Sequence, residues 1–156
     1  MKWSMWIVAV MGCEVPTTTV VLDNGYASSP NALVIYRAFW QAVRFSAPLE
    51  PGSASDPQDS VPASANPAYV VAVPGWDPDG SAAPTSFVVL DSAAGFSLAL
   101  DHTLDILVDD AAFIGDCAAG RHLGQAQADF ITQRVFPDVF AGLHYDASTC
   151  TTTEAP

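Results

Sequence analysis

Ala68-Tyr69-Val70-Val71-Ala72-Val73, stopped by Pro74-Gly75, is the stretch on which the fold class turns. Tyr69, Val71 and Val73 alternate against Val70 and Ala72, so both faces are apolar, and the β-branched content suits a buried strand. Downstream, Phe87 to Asp91, Phe96 to Leu100 and Leu104 to Val108 are further short strand candidates. Ser92-Ala93-Ala94-Gly95 and Asp101-His102-Thr103 supply the turns between them. Upstream, Thr17 to Leu22 is β-branched and ends at Asp23-Asn24-Gly25, whose Asn-Gly is a strong turn signal.

Residues 31 to 46 point two ways. Ser29-Pro30-Asn31 suits a helix start, whereas Leu33-Val34-Ile35-Tyr36 and Phe39-Trp40 have strand chemistry, and the expectation is one bent strand or two strands. Its odd positions run Leu33, Ile35, Arg37, Phe39, Gln41, Val43, Phe45, and the two polar members imply a face that leaves the core near its middle. Pro48 to Pro67 carries five prolines and four serines. Such composition sustains neither a helix nor a central strand, so a long surface loop with an extended edge piece is expected. About six or seven short strands at irregular spacing predict a mainly β protein, an antiparallel β-sandwich.

The character changes after the last strand candidate. Gln125 to Val135 holds good helix formers, with Leu123, Gln127, Phe130, Ile131, Arg134 and Val135 near one face and Phe136-Pro137 as the stop. One C-terminal α-helix is expected against an edge or end of the sandwich. The domain is placed at residues 17–150, and the Thr-rich residues 151–156 are expected to be a disordered tail.

The first residues say where such a chain would reside. Lys2 precedes an apolar run from Trp3 to Met11, within the roughly 7–15 residues of a signal peptide and short of the ~20 needed to span a bilayer. Val10-Met11-Gly12-Cys13 resembles the lipobox of bacterial lipoproteins. The resemblance implies removal of residues 1–12, a lipid on Cys13 as the first mature residue, and residues 13–16 as a tether to the bilayer. The signal is short and Met11 is unusual for a lipobox; the alternative is an uncleaved apolar N-terminus. Val61-Pro62-Ala63, Pro74-Gly75-Trp76-Asp77-Pro78 and Gln125-Ala126-Gln127-Ala128-Asp129-Phe130 give the rest of the chain a likeness to small uncharacterised lipoproteins of high-GC Gram-negative bacteria. That likeness implies a cell-envelope location facing the periplasm or the cell surface, and no activity.

Cysteine count follows from the lipid assignment. Of three cysteines, placing lipid on Cys13 leaves Cys117 and Cys150 as a pair, which in an oxidising compartment would form a disulfide worth roughly 3–4 kcal/mol. The alternatives are two reduced buried thiols or half of a metal site, although neither cysteine lies in a CxxC.

Charge and motif content narrow the chemistry. A net charge of −12 makes nucleic acid a poor partner. In Trp76-Asp77-Pro78-Asp79-Gly80 the aspartates, proline and glycine are ordinary turn residues. Asp77 and Asp79 could also begin a calcium loop, but the further oxygen ligands and closing glutamate of an EF-hand are missing, so no cofactor is expected. Trp76 is a core or rim aromatic on one reading and a sugar platform on the other. His102, His122 and His144 are far apart and form no HExxH. Asp105, Asp109 and Asp110 cluster at a strand end, where solvated turn carboxylates compete with an acid–base role. Neither a GxSxG nor a GxGxxG nor a P-loop occurs. The expectation is a non-catalytic structural or binding module that offers its loops to an envelope protein or glycan. The alternative is a small secreted hydrolase or metal-dependent enzyme using His102 or His122 with a nearby aspartate.

Overall fold

The computed structural model describes residues 17–26 and 32–156. The expected signal segment, Cys13 and the expected tether fall outside the described residues. The chain is mainly β, and its strands run β1 (Thr19–Asn24), β2 (Leu33–Trp40), β3 (Val43–Phe45), β4 (Gln58–Asp59), β5 (Ala63–Asn66), β6 (Ala68–Pro74), β7 (Val88–Ser92), β8 (Phe96–Leu98), β9 (Thr103–Val108) and β10 (Phe113–Ile114). A short 3-10 turn at Cys117–Ala119, helix α1 (Gln125–Phe130) with a π-helical continuation Ile131–Val135, and a hairpin of β11 (Leu143–Asp146) and β12 (Thr151–Glu154) complete it.

A five-stranded antiparallel sheet ordered β10-β7-β6-β2-β3 forms the centre. Strand β6, the sequence stretch with two apolar faces, lies in its middle and is buried on both sides. Val70, Ala72 and Ala68 point into one core, where residues of β2, β7 and β10 meet Val20 and Leu22 of β1, Leu98 of β8, and Ile106 and Val108 of β9. Val71 and Val73 point into the other, against Phe87, Val89, Leu123, Ala128, Ile131, Val135, Phe136, Phe140 and Tyr145. The first core is sheet on sheet, as a sandwich requires, with β4-β1-β9 and β5-β8 as the facing strands. The second is sheet against helix and hairpin.

Residues 31–46 resolve into β2 and β3, and the irregular periodicity has a local cause. Tyr36 is bulged between Ile35 and Arg37 in the register with β6. One inserted residue exchanges the faces, so Leu33 and Ile35 share a core with Ala38 and Trp40 rather than with Phe39.

Four expectations are corrected. There are twelve strands among the described residues rather than six or seven, because two-residue pairings such as β4 and β10 carry no periodicity. The strand expected to end at Asp23-Asn24-Gly25 runs on through Asn24, parallel to β9, and the Gly25 amide donates to the Val108 carbonyl. The Thr-rich end is not a disordered tail, since Thr151–Glu154 pairs with Leu143–Asp146 and the Ala155 amide donates to the Gly142 carbonyl, extending the domain beyond residue 150. Three successive β-branched threonines supply the strand preference that low complexity obscures. The C-terminal helix is present, but Phe130 and Arg134 lie outside its buried face, which is built from Ala128, Ile131, Thr132 and Val135. The π turn, closed by the Phe136 amide on the Ile131 carbonyl, rotates that face relative to a regular helix.

Candidate functional site

Two sequence segments singled out above meet at one rim of the sheet. β6 ends at Pro74, and Gly75 takes φ of +60° where the chain leaves the sheet. The Asp79 amide donates to Asp77 Oδ1 at 3.0 Å and the Gly80 amide to the Asp77 carbonyl at 3.1 Å, which makes Trp76–Gly80 the turn its composition predicts. Trp76 is half-buried: its ring meets Tyr36 edge-on at 5.6 Å and its Nε1 donates to the Ala82 carbonyl. The indole therefore anchors the loop at the rim.

The second segment is the Pro48–Pro67 loop, which is pinned rather than loose. Leu49 and Ile35 exchange both backbone hydrogen bonds, at 2.9 and 3.0 Å. Asn24, 2 % exposed, donates from Nδ2 to the carbonyls of Leu33 and Leu49, both at 2.9 Å, while its Oδ1 accepts from the Tyr26 amide. A buried amide with three partners fixes strand ends and loop together. Glu50, next to Leu49, is thereby held beside the other loop: one carboxylate oxygen each from Glu50, Asp77 and Asp79 lies within 4.8 Å of the others, and all three residues are exposed. An open crevice lined by Pro48, Glu50, Ser53, Pro78 and Asp79 runs between the loops. Sequence reading found Asp77 and Asp79 but missed Glu50, which has no motif linking it to them.

The histidines and the acidic strand end do not assemble into one site. His102, exposed, meets the Leu100 carbonyl at 2.8 Å through Nδ1. His144 is exposed on β11, opposite Thr153. Asp105 is exposed on β9, and Asp109 Oδ1 accepts from the amides of Ala111 and Ala112, a turn-capping task. Asp110 faces Tyr26, whose hydroxyl is pushed above its ordinary range by burial first, then by the charges of Asp110 and Asp116.

Cys117 and Cys150 are joined in a disulfide, 33 residues apart in sequence with Cα atoms 5.9 Å apart. It ties the start of the C-terminal segment to the β11–β12 turn. His122 Nδ1 lies 3.2 Å from Cys117 Sγ and 3.4 Å from the Ala147 carbonyl, a neighbour the sequence does not announce.

A further polar group links sheet and helix. Asp91 on β7 sits opposite Tyr69 on β6, and Gln127 of α1 donates from Nε2 to Asp91 Oδ2 at 2.9 Å, while the buried Oδ1 has no partner among the described residues. Burial raises the Asp91 carboxyl above its ordinary range, opposed by the Gln127 bond.

Neither a family model, nor a curated protein, nor a solved structure matches this chain.

Proposed function

We propose that this protein is a lipid-anchored binding module of the cell envelope that acts without catalysis, attached to a bilayer through Cys13 and presenting the rim formed by Trp76–Gly80 and the start of the Pro48–Pro67 loop to an envelope protein or glycan. The observation that carries the binding role is the convergence of those two loops. Asn24, the Leu49–Ile35 pairing and Trp76 hold the two loops in place, and their exposed side chains are committed to little inside the molecule. Rigidly held loops with free polar tips lose little entropy on docking, which is what a recognition surface needs. The carboxylates of Glu50, Asp77 and Asp79 favour a basic or hydrogen-bond-donating contact.

Anchoring rests on the Val10-Met11-Gly12-Cys13 lipobox resemblance. Among the described residues no helix is long and apolar enough to cross a membrane. The enzyme alternative requires a histidine beside a carboxylate, and the partners of His102 and His122 are instead carbonyls and a sulfur.

Intact-mass measurement on protein recovered from the host membrane fraction, beside Cys13→Ala, tests the anchor. A species that begins at Cys13 and carries acyl mass, absent in the variant, is expected; an unmodified full-length mass overturns it. For the binding face, a photo-cross-linking side chain placed at Asp79 in intact cells should give a discrete adduct that the same side chain at Asp138, in the loop after the helix, does not. Equal labelling from both positions would remove the rim from consideration.

A further inference from the structure

Three ligating side chains meet at the disulfide: the sulfurs of Cys117 and Cys150 and one ring nitrogen of His122 lie within 4.8 Å of one another. We propose that this disulfide is reducible and that its dithiol form, together with His122, is a binding site for a thiophilic divalent metal ion such as Zn2+. The inference is independent of membrane attachment and of the loop rim.

Each ligand stands on backbone that has hydrogen bonds of its own beside the disulfide. Cys117 opens a 3-10 turn in which the Ala118 amide donates to Asp116 Oδ1 at 3.0 Å. The Gly115 amide donates to the Arg121 carbonyl at 2.7 Å and the Arg121 amide to the Asp116 carbonyl at 3.1 Å, closing the loop that brings His122 back over Cys117. Gly115 has φ of +121°, and a Cβ there would collide with the Val89 carbonyl, so the loop takes this path because residue 115 has no side chain. Cys150 closes the β11–β12 turn, whose paired strands hold it in position. Cleaving the S–S bond therefore leaves three donors facing one another.

Their spacing suits zinc. Tetrahedral coordination with Zn–S of about 2.3 Å and Zn–N of about 2.0 Å places sulfur and nitrogen roughly 3.5 Å apart. The Cys117 Sγ to His122 Nδ1 distance is 3.2 Å. Two thiolates on one tetrahedral zinc stand roughly 3.8 Å apart, so the two cysteine side chains, whose Cα atoms are 5.9 Å apart, must rotate to admit the ion. Cys117 and Cys150 are partly exposed, His122 is exposed, and a cleft of about 210 Å³ whose lining includes Leu33, Pro74, Val88, Asp116 and both cysteines opens beside the two sulfurs. Reductant and metal both have access, and three protein donors leave the fourth position of a tetrahedral ion to water or a small ligand.

The chemistry balances with a dithiol as reductant. One thiolate of the dithiol attacks Cys150 Sγ, and Cys117 leaves as a thiolate 3.2 Å from His122 Nδ1. The second thiol of the reductant then displaces Cys150. Two electrons have passed to the cysteine pair, the reductant has become its own disulfide, and its two thiol protons have moved to the cysteines. Binding Zn2+ releases those two protons to solvent as two Zn–S bonds form.

Cobalt titration of the full purified chain tests this. The protein is reduced with a phosphine under argon, desalted, and titrated with Co2+ alone while thiolate-to-cobalt charge transfer is followed in the near ultraviolet; Zn2+ is then added to displace it. One equivalent is expected to bind the reduced chain and none of that band is expected with the oxidised chain. His122→Ala, which leaves both cysteines in place, should weaken Co2+ by about tenfold or more. Glu50→Gln/Asp77→Asn/Asp79→Asn should bind as the parent does. Absence of the band in the reduced chain, equal affinity in His122→Ala, or loss of the band in the triple carboxylate variant overturns the proposal. Circular dichroism covers the case in which the reduced chain unfolds: metal must then restore the spectrum, and Co2+ bound to a chain that stays unfolded also overturns it.

Discussion

The two faces of the five-stranded sheet are buried by different means. On one, strand meets strand, and the filling is mostly aliphatic around Trp40 and Phe113. On the other, one short helix with a π turn and a C-terminal hairpin cover the sheet, and aromatics are linked in a row: Phe87, Phe140 and Tyr145 make edge contacts, Phe87 meets Tyr36 at a tilt, and Tyr36 meets Trp76 edge-on. The first face gains its order from backbone ladders, and the second from side-chain packing and a few polar pins. Gln125 is the clearest pin, donating to the Tyr145 carbonyl at 2.7 Å and accepting from the Ala147 amide at 2.9 Å. Cys150 packs against both cores, so the disulfide sits where the two modes of burial meet.

The largest effect should come from the strand-built face. Trp40 is fully buried and its Nε1 donates to the Asn66 carbonyl, so Trp40→Ala should cost about 3–5 kcal/mol in chemical denaturation. A loss below about 1 kcal/mol would mean that the ladders alone hold this face. Next in size is Cys117→Ser/Cys150→Ser, expected to cost roughly 3–4 kcal/mol. Hydrogen exchange should then show α1 and β11 losing protection before β2 and β6; uniform loss across both faces would erase the contrast between them. Ile131→Ala empties a fully buried position under the π turn and should cost about 2–4 kcal/mol, with a change in near-ultraviolet dichroism from the neighbouring aromatics.

The smallest predicted effect depends on pH and has opposite signs at the sheet and at the hairpin. Asp91, raised by burial, keeps its proton in the folded chain to higher pH than in the unfolded one. Its contribution is present in acid and declines as pH rises from the ordinary carboxylate value of about 3.9 through the raised one. Asp91→Asn should flatten that decline. Asp146 is lowered, first by the Ser148 hydroxyl and then by the Ser148 amide, so its contribution is present above the ordinary value and is lost as pH falls through the lowered one. Asp146→Asn should flatten the curve on that acid side. Stability measured from pH 2 to 7 checks both, and curves that shift in the same direction would refute the assignment.

The contrast between the faces also separates what was legible in the sequence from what was not. Strands β2, β6, β7 and β9 stand within a few residues of where alternation and β-branching put them, and the disulfide follows the cysteine count. The bulge at Tyr36 was visible only as a broken period, because a one-residue insertion leaves composition unchanged while exchanging faces. Of the candidate site, Trp76, Asp77 and Asp79 were readable as a turn, but Glu50 joins them through a strand pairing and a buried Asn24 that carry no local signature. His122 was one of three indistinguishable histidines until the Gly115–Arg121 loop brought it over Cys117.

By itself, the sequence determined a mainly β chain, a buried strand at residues 68–73, an acidic composition and a cysteine pair, since alternation, charge and count are local or additive properties. Only the tertiary structure decided the parallel β1–β9 pairing, the folding-in of Thr151–Glu154, and the meetings of Glu50 with Asp77 and of His122 with the disulfide. Those depend on contacts between residues distant along the chain, whose energies arise from packing and hydrogen-bond satisfaction that no short window of sequence encodes.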